Sequence, residues 1–259
     1  MKLDVEGNSI GDAGASALAE ALKVNKTLTK LNIRGNNICA AGTSAIAEAL
    51  KVNKTLTELY VGHNGIGASG ASALAKALEV NNTLATLSVY DNSISGDGAS
   101  ALAEALKVNK TLTELNVGGN IVGDAGASAF AEALKVNKTL TKLNVSDYSG
   151  ITEDGAVALA EARKVNKTLT TLDVSNNSID EAGASALAEA LKVNNALVDL
   201  SISNSSIGAA GASALADALK VNNTLTALNV YDNSIGEAGN AALVASAHLG
   251  CTVRVLCSS

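Results

Sequence analysis

Apolar and polar positions fall into one arrangement that returns, with small changes, along the whole chain. Its clearest copy is residues 27–54, TLTKLNIRGNNICAAGTSAIAEALKVNK. In the front half, Leu28, Leu31, Ile33 and Ile38 alternate with polar residues, as in a half-buried strand. In the back half, Ala45, Ile46, Ala49 and Leu50 repeat as adjacent apolar pairs four residues apart, as on a helix face. The side-chain period of two sends Leu31 and Ile33 inward and Lys30, Asn32 and Arg34 outward. The helix then buries Ile46, Ala49 and Leu50 and shows Glu48 and Lys51 to water as an i,i+3 pair. That pair recurs at Glu20/Lys23, Glu104/Lys107, Glu132/Lys135, Glu161/Lys164 and Glu189/Lys192, and is reversed at Lys76/Glu79.

Aligned on its second leucine, the pattern gives Leu3, Leu31, Leu59, Leu87, Leu115, Leu143, Leu172, Leu200 and Leu228. Every step is 28 except 172 − 143 = 29. A last match falls on Leu256, which predicts ten strands with nine helices between them. Consecutive parallel strands need a crossover, and each helix supplies one. Strands lie about 4.8 Å apart and packed helices about 8–10 Å apart, so the stack must curve with its strands inside. Alanines at Ala17, Ala21 and their equivalents moderate that curvature. One unit buries too few aliphatic side chains to offset the entropy of ordering it, so neighbours are obligatory.

The run Leu28-x-x-Leu31-x-Ile33-x-x-Asn36-x-Ile38, then Gly42, then the Ala/Leu helix, resembles the leucine-rich repeat family, in its ribonuclease-inhibitor-like subclass. The resemblance spans essentially all of residues 1–259. It implies an α/β, right-handed solenoid of 28-residue repeats, a single horseshoe domain with a parallel sheet on the concave face and helices on the convex face. It also implies binding of other proteins, often in the cytoplasm. The family's asparagine stands at Asn8, Asn36, Asn64, Asn92, Asn120, Asn177 and Asn233, where a carboxamide can satisfy buried backbone groups as each strand turns away. Tyr148 takes that slot in the unit with the extra residue and Ser205 in a later one, so a displaced turn is expected at 146–150. Met1 enters in mid-unit, which predicts an open strand edge and uncovered core there, belonging to a fragment or covered by a partner. Residues 240–259 depart from the repeat and are expected to form a partial C-terminal cap.

Composition changes little in this picture. The balance of 19 basic and 25 acidic residues, −6, argues against a nucleic-acid partner. No apolar leader or membrane-length run is present, so no membrane insertion is expected. Three cysteines, Cys39, Cys251 and Cys257, form no disulfide framework and fit a reducing compartment. Asn-x-Thr sequons at Asn25, Asn53, Asn81, Asn109, Asn137, Asn166 and Asn222 each follow a helix. They are read as helix ends, where asparagine tolerates a left-handed turn, rather than as glycosylation sites.

Candidate chemistry is thin. Gly65-Ile66-Gly67-Ala68-Ser69-Gly70, with Asp91 beyond it, imitates a dinucleotide fingerprint. However, Gly70 fills the repeat slot of Gly14, Gly42, Gly98 and Gly126, while Gly65 and Gly67 stand where residues vary. No Gly-Lys-Ser/Thr supports a phosphate loop. The two histidines, His63 and His248, lie far apart, which leaves no zinc cluster or Ser-His-Asp constellation. Phe130 replaces a core leucine. No catalytic, cofactor or metal site is expected.

What remains is the outward strand columns, where the copies disagree. Three of the four tyrosines fall there, and tyrosine is enriched at interfaces. Tyr60 and Tyr90 occupy adjacent strands, with His63 and Asp91 at the rim and Arg34 one strand earlier; Tyr231 and Asp232 repeat the motif near the end. The expected function is a non-enzymatic module binding a protein through its concave face, as adaptor, inhibitor or sensor arm. Two alternatives are a GTPase activator, since the subclass resembles the Ran GTPase-activating proteins, and a scaffold that self-associates through the open Met1 edge.

Overall fold

The computed structural model describes residues 1–255. Among them, ten three-residue strands form one parallel sheet in sequence order, alternating with nine helices. The first unit contributes β1 (Lys2–Asp4) and α1 (Gly11–Val24), followed by β2 (Lys30–Asn32) and α2 (Ala40–Val52). Pairing is in register with the repeat: Leu3 faces Leu31, Leu31 faces Leu59, and so on through Leu200 and Leu228. From Leu31 onward those leucines are at most 2% exposed. Gly42 allows adjacent helices to approach, because a Cβ there would meet Ala15 and the Ile38 methyl at 2.9 Å. At the start of the array Leu3, Val5, Ile10 and Leu18 are only partly buried.

The far end corrects the expected spacing. In β10 (Thr252–Arg254), Val253 faces Leu228 of β9 (Ala227–Asn229), a step of 25. The leucine slot therefore belongs to Val253 and not to Leu256, which with Cys257 lies outside the described residues. The preceding helix, Gly236–Ser246, leads into Ala247 without the Lys-Val-Asn-x-Thr link of earlier units, so the strand arrives sooner.

Two asparagine ladders satisfy the turns at the two edges of the sheet. At the strand-to-helix edge, Asn36 Nδ2 donates to Val5 O of the preceding unit at 2.8 Å and to Arg34 O at 3.0 Å. Its Oδ1 accepts from the Asn8 and Ile10 N–H groups. Asn64, Asn92, Asn120, Asn177 and Asn233 likewise donate to a strand carbonyl of the preceding unit. At the helix-to-strand edge, Asn53 Nδ2 donates to Leu22 O and Asn25 O, while its Oδ1 accepts from Thr55 and Leu56 N–H. This second ladder corrects the left-handed reading of the sequons. Asn25, Asn53, Asn109, Asn137 and Asn166 are extended, with φ between −65° and −74°. They are kept for a side-chain bridge between units rather than for positive φ, and from Asn53 to Asn222 the sequon asparagines are at most 3% exposed.

Helix starts come in two forms, which also revises the view of Gly67 as freely variable. Gly11, Gly67, Gly123, Asp180, Gly208 and Gly236 have positive φ, a left-handed turn that feeds the helix. Cys39, Ser95 and Thr152 are instead extended, and at Cys39 and Thr152 a carboxylate from the preceding helix supplies the cap. Asp12 Oδ1 accepts from Cys39 and Gly42 N–H, and Asp124 Oδ1 from Thr152 and Gly155 N–H. On the convex face the expected Glu/Lys pairs form at 2.5–2.6 Å. Asp217/Lys220 joins them at 2.7 Å. Among the described residues the reversed Lys76/Glu79, at the end of α3 (Gly67–Leu78), forms no such pair, although Glu79 keeps helical dihedrals.

The sixth unit holds the departures. Asp147 and Tyr148 are consecutive left-handed residues where other units have one. The extra residue is Tyr148 itself, 79% exposed, and the buried Ser149 takes the asparagine position with its Oγ on Ser146 O. That corrects the placement of Tyr148 in the slot. Serine reaches less far than a carboxamide, and Val122 N–H turns to Asn120 O instead. In α6 (Glu153–Val165), Arg163 replaces the core leucine of the Leu22/Leu50 column and is 2% exposed. Its guanidinium bonds only neutral oxygens, of Asn166, Leu169 and Asn194. Among the described residues Nε has no hydrogen-bond partner, nor has the Thr168 hydroxyl, whose counterparts elsewhere reach the asparagine Oδ1. Burial pulls Arg163 down to about 10.

A buried cation without a carboxylate stabilises less than the leucine its sister units carry. Arg163→Leu is expected to raise unfolding free energy by about 1–3 kcal/mol in urea titrations; a lower midpoint would contradict this account. Asn137→Ala removes the donor to Leu106 O and the acceptor for Thr139 and Leu140 N–H. It is expected to destabilise by about 2 kcal/mol or more, and an unchanged melting curve would show the second ladder to be dispensable.

Candidate protein-binding face

Strands of three residues present few outward side chains, so the concave face is short and its content is set by single substitutions. Tyr60, at the end of β3 (Glu58–Tyr60), is half-buried. Its Oη donates to Glu58 Oε2 at 3.1 Å. Lys30, paired with Glu58 across β2–β3, lies 3.0 Å from that carboxylate and 4.3 Å from the Tyr60 ring centre. Ammonium, carboxylate and ring thus hold one another. The Lys30 ammonium, with the Tyr60 hydroxyl, draws the Glu58 carboxyl below its ordinary value against a smaller upward push from burial. Burial and the Glu58 carboxylate push the Tyr60 phenol up.

One strand on, Tyr90 follows β4 (Thr86–Ser88). Its ring lies 5.2 Å from the His63 ring, tilted by 57°. His63 and Asp91 occupy equivalent left-handed rim positions, both at φ 50°, and His63 Nδ1 meets Asp91 Oδ2 at 2.7 Å. His63 Nε2 is buried and has no hydrogen-bond partner among the described residues. Burial, then Asp147, pushes the Tyr90 phenol up. Asp147 in turn accepts from Asn176 Nδ2 at 2.7 Å, and Asn176 accepts from Asn204 at 2.9 Å. Arg34 stands at the opposite side, 3.6 Å from Glu6. Between these groups lies a shallow depression lined by Asn32, Arg34, Tyr60, Gly62, Ser88 and Tyr90.

The structure therefore brings Arg34, Tyr60, His63, Tyr90 and Asp91 into one patch. Tyr231 and Asp232 lie beyond β9, five strands from β4, and form no part of it. Tyr231 is 45% exposed. Three further contributors join the tyrosines, of which Asp147 escaped sequence reasoning. Lys30 and Glu58 stand in the column before each aligned leucine, and Asp147 stands in the same rim slot as His63 and Asp91. The signal is positional in each case, but only the two columns after the leucine carry tyrosines.

The geometry suits recognition: aromatic faces, paired charges and hydroxyl donors on a rigid sheet. No group of three or more His, Cys, Asp or Glu side chains that could hold a metal ion occurs among the described residues. No helix among them is long and apolar enough to cross a membrane.

A comparison with curated proteins returned no match. Among solved structures, 152 chains match. One is the actin-binding site 2 of leiomodin-1, 30% identical, covering 45% of this chain and 69% of that chain, with a TM-score of 0.43. Another is the tropomodulin C-terminal domain of Caenorhabditis elegans, 18% identical, covering 60% and 92%, with a TM-score of 0.49. The model of the Leucine Rich repeat family matches residues 1–19, 24–47, 52–75, 80–103, 108–131, 136–160, 165–188 and 221–244. Those segments take in most of the ten-stranded parallel sheet and its crossover helices, and the chain belongs to the leucine-rich repeat family.

Proposed function

We propose that this protein binds a protein partner through its concave face, with the Tyr60–Tyr90 patch as the anchor. The observation that carries the reading is the preorganisation of two half-buried tyrosines. Tyr60 is held by Lys30 and Glu58, and Tyr90 packs at a tilt against a His63 already fixed by Asp91. Rings that are ordered before binding lose little entropy on contact, which is what makes tyrosine an interface anchor. Small neighbours, Gly62, Ser88 and Gly118, leave room for a partner side chain to enter between them. Arg34 and Asp147 flank the rings with opposite charge and give the contact a polarity.

The role is binding rather than catalysis, as an adaptor, an inhibitor or the sensing arm of a larger assembly. Tyr231 and Asp232, being remote, are a separate and weaker contact point. Cys39 and Cys251 are free thiols, which fits a reducing compartment and supports a cytoplasmic location.

The test is affinity capture with the full chain as bait, followed by the Tyr60→Ala/Tyr90→Ala variant against the partner so found. Capture is expected to weaken by about tenfold or more, with an unchanged circular dichroism spectrum. Undiminished capture by the variant would move the interface elsewhere.

A further inference from the structure

One feature of the first eight units serves neither the core nor the concave face. A valine stands at or just past the end of each of the first eight helices, and each is more than half exposed, from 52% at Val136 to 75% at Val24. The core does not require them, since the buried column at these helix ends is the Leu22/Leu50 series. Each valine precedes its next strand by six residues, from Val24 before Lys30 to Val221 before Ala227. Because the strands pair without stagger, the valines form one level row along the helix-to-strand edge of the sheet.

Lysines accompany the row. Lys26, Lys54, Lys110, Lys138 and Lys167 are exposed two residues beyond their valine, outside the helix, so helix-dipole compensation does not account for them. Three slots around each helix end are involved: Lys26, Lys23, Glu20 and their equivalents. Together they hold thirteen lysines and eight carboxylates (13 − 8 = +5), leaving six basic and seventeen acidic residues elsewhere (6 − 17 = −11). A protein of net charge −6 thus carries a positive, apolar-studded edge.

We propose that this edge is a peripheral docking surface for an anionic lipid bilayer, with the valines entering the headgroup boundary and the lysines meeting lipid phosphates and carboxylates. A bilayer supplies negative charge and apolar depth together over a plane, so it can meet every position of a level row at once. A second copy applied by the same edge would set lysine rows against lysine rows. Applied by the opposite edge, it would offer carboxylates such as Asp97, Asp154 and Glu237 but no apolar row to cover the valines.

The test is co-sedimentation of the full chain with vesicles of phosphatidylcholine alone and of phosphatidylcholine with phosphatidylserine. Two variants are compared, each checked for native circular dichroism: Val52→Ser/Val80→Ser/Val108→Ser/Val136→Ser and Lys54→Glu/Lys110→Glu/Lys138→Glu. Binding is expected only with phosphatidylserine, to weaken as salt is raised, and to fall by about tenfold or more in both variants. Failure to bind, equal binding to both vesicles, or binding that survives the valine substitutions overturns the proposal. Concentration-dependent self-association abolished by the same valine substitutions would also overturn it, assigning the edge to a second copy.

Discussion

A chain that turns sharply twice in every 28 residues must find hydrogen bonds for backbone groups that no strand or helix can satisfy, and everything else in this structure depends on that constraint. A buried, unpaired carbonyl or amide costs about 1–3 kcal/mol, and each unit would bury several. The answer is a carboxamide at each turn, since its donors and acceptor can serve two neighbouring units at once. Asn92 receives the Asn64 N–H and gives its own Nδ2 hydrogens to Val61 and Val89 O. Asn109 does the same service on the other edge for Leu78 O and Leu112 N–H. Both ladders run between units, so each repeat completes the next. Apolar packing would tolerate a sliding of one unit on another; a carboxamide that must reach a particular carbonyl does not. The level register of the sheet follows from the amides as much as from the leucines.

The same logic explains why the irregularities cluster. Ser149 cannot span to the preceding unit, and Tyr148 is extruded beside it. Arg163 then sits in the adjacent helix where its charge has only neutral oxygens to meet. In a stacked array, stability is a sum of units and their interfaces, so defects in one unit are carried by its neighbours without spreading. The face gains from this. Asp147 belongs to the irregular turn, yet its charge acts on the Tyr90 phenol on one side and it accepts from Asn176 on the other. A turn that departs from the repeat is where a new side chain can enter the concave surface without disturbing the ladder on either side of it.

Much of this was legible in the sequence, because the leucine period and the alternation around it admit one arrangement. Strand order, inward leucines, the strand-edge asparagines and the convex Glu/Lys pairs could be read from Leu28, Asn36 and Lys51 alone. The rest was hidden for particular reasons. The sequon asparagines look like helix stops because asparagine suits both a left-handed turn and a bridging amide, and only the extended backbone at Asn53 separates the two. An insertion among Ser146, Asp147, Tyr148, Ser149 and Gly150 can be aligned several ways, and burial rather than spacing selects Ser149. Leu256 matched the period, but a shortened connection placed Val253 opposite Leu228. Periodicity fixes what repeats and is silent where the chain stops repeating.

The two exposed surfaces are oriented so that they do not compete. The concave face is made by side chains that stand out from the sheet, while the valine edge lies along the ends of the strands, roughly at right angles to it. An array resting on that edge keeps Tyr60, Tyr90 and Arg34 directed across its hollow and open to solvent. The rim that carries His63, Asp91 and Asp147 lies at the opposite end of the strands. Because all the helices run in one direction, acidic first turns such as Glu153 and Asp154 gather along that far edge and lysines along the near one. The parallel topology that the crossover helices impose therefore does more than bury leucine. It sorts charge to opposite edges of one body and leaves the face between them free for recognition.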